Sequence, residues 1–142
     1  MLTQLKQTAR DAGLPFGDRK MTYNSRLAQE LGKWAEKNGY GDAFHDAVFR
    51  AYFADGRNIA DNNTLSDIAN SAGLNANEAR EVLAARTFKA AVDADWSRAY
   101  ESKVTAVPTF LMEGQSLVGA QPFNALANFM LQNNVNRRPL NH

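Results

Sequence analysis

The sequence predicts an α+β chain that is mostly helical and carries one small β-hairpin. Three observations lead there. Apolar residues recur at helical spacing in successive segments between residues 24 and 102. A proline, Pro108, immediately precedes the β-prone run Thr109-Phe110-Leu111-Met112, the position in a strand where the missing N–H costs no ladder bond. Beyond that run, Phe123, Leu126, Ala127, Met130 and Leu131 repeat at the spacing of one more helix. At 142 residues the chain is sized for one domain with one core.

Taken in order, Met1 to Ala12 reads as a short helix with the thin stripe Leu2, Leu5 and Ala9, stopped at Gly13. A helix of this length is marginal alone in water, so it needs something to pack on. Leu14-Pro15-Phe16-Gly17-Asp18 is a turn-rich link. Ser25 to Lys37 forms the next helix, capped by Asn24 or Ser25, with Leu27, Leu31, Trp34 and Ala35 inward. Asp42 is expected to cap a helix over Ala43 to Phe53, whose stripe is Phe44, Ala47, Val48, Ala51 and Tyr52. Trp34, Tyr40, Phe44, Phe49, Tyr52 and Phe53 are read together as core aromatics. Ile59 anchors a polar loop, and Asn63 or Thr64 opens a short helix with Leu65, Ile68 and Ala69. Asn75-Ala76-Asn77-Glu78 looks like a capping box with Asn in place of Ser or Thr. A last helix of the block is expected over Thr87 to Ser102, with Phe88, Ala91, Val92, Ala99 and Tyr100 available for burial.

The strand Thr109 to Met112 is followed by Glu113-Gly114, a tight-turn pair, and a second strand over Gln115 to Val118. Pro122 suits the first position of the closing helix. Because X-Pro bonds tolerate the cis form at modest cost, Val107–Pro108 is the place where a cis peptide is expected. Residues 133–142, rich in Asn and Arg, read as a flexible tail.

Composition narrows the chemistry. With 16 basic and 15 acidic side chains the net charge is +1, which gives no electrostatic case for nucleic acid or an anionic membrane. No apolar run approaches the roughly 20 residues of a membrane helix, and Met1 to Lys6 lacks the pattern of a signal peptide, so a cytoplasmic location is expected. The chain has no cysteine, which removes disulfides, thiolate catalysis and Cys-based metal sites. Two histidines, His45 and His142, are too few for a His-only metal centre, and no metal or other cofactor is expected. Asp61-Asn62-Asn63-Thr64-Leu65 starts like a calcium loop but lacks its sixth-position glycine. Asp93 and Asp95, two apart on a helix, do not face each other. Ser25, Ser66, Ser71, Ser97, Ser102 and Ser116 have no His and acid partners in sequence and read as caps or surface residues.

The wording VTAVPTFLMEGQSLVGAQPF, a VPTF step followed by a GAQP turn, resembles the C-terminal half of the thioredoxin fold as DsbA-like proteins use it. It is most similar to the FrnE-like branch, whose relatives include 2-hydroxychromene-2-carboxylate isomerases. The "GLPF" run at residues 13–16 is similar to wording found at the corresponding point of that family. The resemblance implies a helical block, here residues 24–102, inserted into the thioredoxin fold, with residues 103–132 supplying hairpin and closing helix. It also implies that the cis-proline and the residue before it face a substrate groove, which marks Val107 and Pro108 as candidate substrate-binding residues for a thiol or peptide. Oxidoreductase members carry a CxxC in an N-terminal strand–helix unit, and isomerase members carry a serine there and use glutathione. No position here matches either motif, so no catalytic residue is carried over.

The expected picture is therefore a single truncated DsbA-like domain over residues 1–142, redox-inactive by itself. A protein- or peptide-binding module is the reading from a different class. A two-stranded hairpin alone is marginal, and a nearly continuous apolar strand suits cover on both faces. An uncovered strand edge invites pairing with another chain, so a homodimer sharing the hairpin edge is expected.

Overall fold

In a computed structural model, which describes residues 1–136 and 138, the chain forms seven helices and one antiparallel hairpin. His142 and half of the expected tail, residues 137 and 139–142, lie outside the described residues. The helices are α1 (Leu2–Asp11), α2 (Arg26–Lys37), α3 (Gly41–Phe49), α4 (Asn62–Ser71), α5 (Ala76–Ala85), α6 (Lys89–Glu101) and α7 (Phe123–Gln132). The strands are β1 (Thr109–Met112) and β2 (Gln115–Val118). The fold class is thus mostly α with a small hairpin, and five helices fill the expected block.

The backbone divides into two units, Met1–Asp95 and Trp96–His142. In the first, α2 packs on α3, α4 and α5, and α4 packs on α3 and α5. Leu31, Ala35, Phe44, Leu65, Ala69 and Ala79 are fully buried, with Ile68 and Leu83 nearly so. Leu31, Ala35, Phe44, Leu65, Ile68 and Ala69 are residues whose helical spacing marked inward faces. The helix starts follow side-chain chemistry. Asp61, two or three residues before the expected opening, caps α4 by accepting the Thr64 N–H at 2.8 Å. Asn75 caps α5 through the N–H groups of Asn77 and Glu78. Asp42 is not a cap; it lies in the first turn of α3, where a carboxylate favours the positive end of the helix dipole. Pro122 sits at the N-cap of α7, one residue earlier than expected.

Other expectations are corrected. α3 does not run on as an α-helix to Phe53; Arg50–Ala54 form a π-helical turn. α6 starts at Lys89, because Thr87 and Lys89 turn back to the carbonyls of Val82 and Arg86. Ser66 is neither a cap nor a surface residue: it is fully buried and donates its hydroxyl to the Asn62 carbonyl at 2.7 Å. In α7 the buried residue is Phe129, while Phe123, Met130 and Leu131 are exposed. Asn133 is also buried, and its side-chain amide donates to the Phe129 carbonyl at 2.8 Å.

A buried carboxylate ties the helical block together. Glu30 of α2 is 1% exposed. It accepts a two-pronged contact from Arg86, at 2.7 and 2.6 Å, and a third bond from Arg26 at 2.8 Å. Arg86 ends α5 in the left-handed region, at φ 52°, where its guanidinium reaches Glu30. Arg26 continues to Asp93 of α6, which Lys89 also holds at 2.7 Å. Hydrogen bonds from Arg86, opposed by desolvation and reinforced by Arg26, hold the Glu30 carboxyl below its ordinary range.

Because the folded-state value is depressed, this carboxylate stabilises the fold above its unfolded pKa, about 4.3, and that contribution is lost as pH falls through the folded value. Glu30→Gln leaves two guanidinium groups facing a neutral partner and is expected to cost about 3 kcal/mol in urea unfolding at neutral pH. The variant should also lose stability less steeply than the parent between about pH 5 and pH 3.

Candidate functional site

Val107–Pro108 is a cis peptide bond. It stands at the mouth of the hairpin, where Gly119 N–H donates to the Pro108 carbonyl at 2.8 Å and the Thr109 hydroxyl donates to the Ala106 carbonyl at 2.6 Å. Strand pairing runs Thr109 with Val118, Phe110 with Leu117, Leu111 with Ser116 and Met112 with Gln115. Glu113 and Gly114 both have positive φ, 48° and 77°, the backbone of a type I′ turn that matches the twist of the flanking strands. Ladder bonds alternate along an antiparallel pair. With Pro108 and Gly119 hydrogen-bonded, the N–H and C=O groups of Thr109 and Leu111 point away from β2, along the free edge of β1.

The two predicted site residues are therefore placed side by side at this entrance, with Val107 88% exposed. The expected cover on both strand faces is incomplete among the described residues. Adjacent residues Phe110 and Leu111 point to opposite faces, and they are 38% and 47% exposed. Val118 on β2 is exposed as well. A strand of this composition needs neighbours, and β2 is the single strand paired with it among the described residues.

Residues 104–112 contain no titratable side chain. The surface offers backbone donors and acceptors, apolar contact and threonine hydroxyls. That set can bind a chain in extended form, but it supplies no acid, base or thiolate. Among the described residues, no group of three His, Cys, Asp or Glu side chains could hold a metal. No helix among them is long and apolar enough to cross a membrane.

One feature escaped the sequence reading. In the first unit, α1, the link after it and the end of α3 border an open concavity of about 360 Å³, with Leu14, Phe16, Phe49, Arg50 and Phe53 in its lining. Phe49 and Phe53 are exposed, as is Tyr40, so they are not the core residues they were read as. Trp34 and Phe44 are buried as expected. α1 buries none of its residues. The π-helical turn that re-aims Phe53 has no signature in residue spacing.

The cis-proline loop, hairpin and closing helix define a thioredoxin-type element, joined in sequence to a block of five helices. The chain belongs to the DSBA-like thioredoxin domain family, which matches residues 1–131. It is similar to a probable DsbA oxidoreductase from Streptomyces coelicolor, with 30% identity and a TM-score of 0.84 over 99% of this chain and 62% of that one. It is also 32% identical over 95 residues to the uncharacterized protein YwbO of Bacillus subtilis, covering 66% of this chain and 48% of that protein. The chain thus spans between about half and two thirds of the length of these relatives.

Glu113 is a poor residue for φ of 48°, whereas Asn tolerates that region. Glu113→Asn is expected to stabilise the hairpin by roughly 0.5 kcal/mol. Slower amide exchange at Phe110 and Leu117 would report it.

Proposed function

We propose that these residues form the partner-facing part of a FrnE-like member of the DsbA family, holding a peptide or thiol-bearing partner at Val107 and Pro108 without exchanging thiols themselves. The observation that carries this reading is an exposed residue, Val107, at a cis-proline bond beside a strand edge. The family and the similar oxidoreductase support the redox context. Thiol–disulfide exchange requires an attacking thiolate, and the 142 residues contain no cysteine. Any thiol step coupled to this surface must come from another source.

The purified chain is expected to reduce insulin or a fluorescent disulfide peptide no faster than buffer does. Exchange above buffer by the cysteine-free chain would refute the reading. Peptide binding to the loop is expected to weaken when Val107 is changed to Asp, which places a charge on an apolar contact surface.

A second reading rests on the open strand. An edge with outward N–H and C=O groups and exposed apolar residues on both faces pairs readily with its own copy. In this reading the hairpin edge builds a homodimer. Light scattering is expected to give twice the chain mass for the parent, and the monomer mass for Leu111→Lys. Because Leu111 is exposed, that change should leave folding stability within about 0.5 kcal/mol. A folded monomer for the parent chain would exclude the shared sheet.

A further inference from the structure

The concavity in the first unit is separate in sequence from the cis-proline loop, and nothing in the reading above uses it. Its wall is aromatic. The rings of Phe16 and Phe53 lie 6.1 Å apart between centroids and tilted, and those of Phe49 and Phe53 lie 6.4 Å apart. Such spacing is that of rings in mutual contact, yet Phe49 remains 59% exposed and Phe53 39%. Leu14, 63% exposed, adds a further apolar wall. The volume, about 360 Å³, lies at the small end of ligand pockets.

The backbone that shapes the cavity is fixed from two sides. The π-helical turn sends the Asp55 N–H to the Arg50 carbonyl at 3.1 Å and the Arg57 N–H to the Ala51 carbonyl at 2.8 Å. The Phe53 carbonyl accepts from Gly17 at 2.8 Å. Gly17 permits this approach, since a Cβ there would lie 2.0 Å from the Ala54 carbonyl oxygen. π-turns inside helices recur at functional sites.

Two opposite charges also line the cavity. Asp46 and Arg50 stand one turn apart on the same side of α3 and its continuation, the spacing at which an acid and a base ordinarily pair. No ion pair joins them, and neither pairs with another charged group among the described residues. An apolar wall beside one unpaired cation and one unpaired anion is complementary to a small molecule with an aromatic body and both charges at one end.

We propose that this concavity binds a free aromatic α-amino acid, its ring against Phe16, Phe49 and Phe53, its carboxylate toward Arg50 and its ammonium toward Asp46. The two charges select the zwitterion, and the phenyl wall selects an aromatic side chain over a small or polar one. The assignment is independent of the reading of the cis-proline loop, and either can fail without the other.

The test is a titration of the full chain with L-phenylalanine, followed by NMR of the phenylalanine rings. Saturable shifts are expected at Phe16, Phe49 and Phe53. L-Alanine should produce none. The single-charge analogues 3-phenylpropionate and phenethylamine should each bind about two- to fivefold more weakly, the range that a pair of exposed charges allows. Arg50→Gln should remove the preference over phenethylamine, and Asp46→Asn the preference over 3-phenylpropionate. Phe49→Ser, at an exposed position, should abolish the shifts while the circular dichroism spectrum stays unchanged. Should Phe49→Ser fail to fold, the two charge variants carry the test by themselves. Absence of saturable shifts would overturn the proposal, as would analogues that bind as tightly as L-phenylalanine.

Discussion

A strand sends successive side chains to opposite faces, and β1 places Phe110 and Leu111 next to each other. Burying both requires a layer on each side of the sheet, and a two-stranded hairpin provides neither. Partial exposure of both residues is the direct result. Each fully buried large apolar side chain contributes on the order of 1.5–3 kcal/mol, so a strand that leaves two of them half in water gives up much of its means of stabilisation. The cis-proline loop inherits this condition, because it is the entrance to that strand.

The helical unit meets the opposite condition. Leu31, Phe44, Leu65 and Ile68 are sealed from solvent, and the cost of burying Glu30 is offset by three charge-assisted hydrogen bonds. That carboxylate links α2 to the end of α5 through Arg86 and, through Arg26 and Asp93, to the start of α6. Between residues 96 and 138, by contrast, Phe129 is the one apolar residue buried among those described. Binding capacity follows from that difference. Exposed apolar surface marks where a partner gains most on docking, and in residues 96–136 it includes Val107, Leu111 and Val118 around the hairpin.

What could be read in the sequence was what local chemistry decides. The strands Thr109–Met112 and Gln115–Val118 fall at the expected bounds, because proline and the Glu-Gly pair punctuate them. The cis bond at Pro108 was legible because an X-Pro step can hold that form and because the resemblance implies it, since spacing says nothing about an ω angle. The helix interiors of α2, α4 and α5 were legible because one face of each is covered. α1 and α7 were harder: periodicity reports that a face is apolar, not that anything lies upon it, so Leu2, Leu5, Phe123 and Leu131 have the right spacing and remain exposed. The same ambiguity hid the concavity. Phe49 and Phe53 stand four residues apart on the side of the helix away from Phe44, and were grouped with the core aromatics by composition, not by facing. Val107 and Pro108 form the expected cis bond, but the exposure of Val107 could not be read from a residue that is equally at home in a core.

Family membership carries the architecture further than it carries the chemistry. A DsbA-like domain can do redox work only with a thiolate, and a chain without cysteine cannot supply one at any pH. What residues 104–112 offer is a fixed backbone turn, an exposed valine and a strand edge with outward hydrogen-bonding groups. Backbone contacts of this kind are indifferent to side-chain sequence, so selectivity must come from the apolar surfaces of Phe110, Leu111 and Val118 on either face. A surface built this way favours extended, apolar segments over any particular motif.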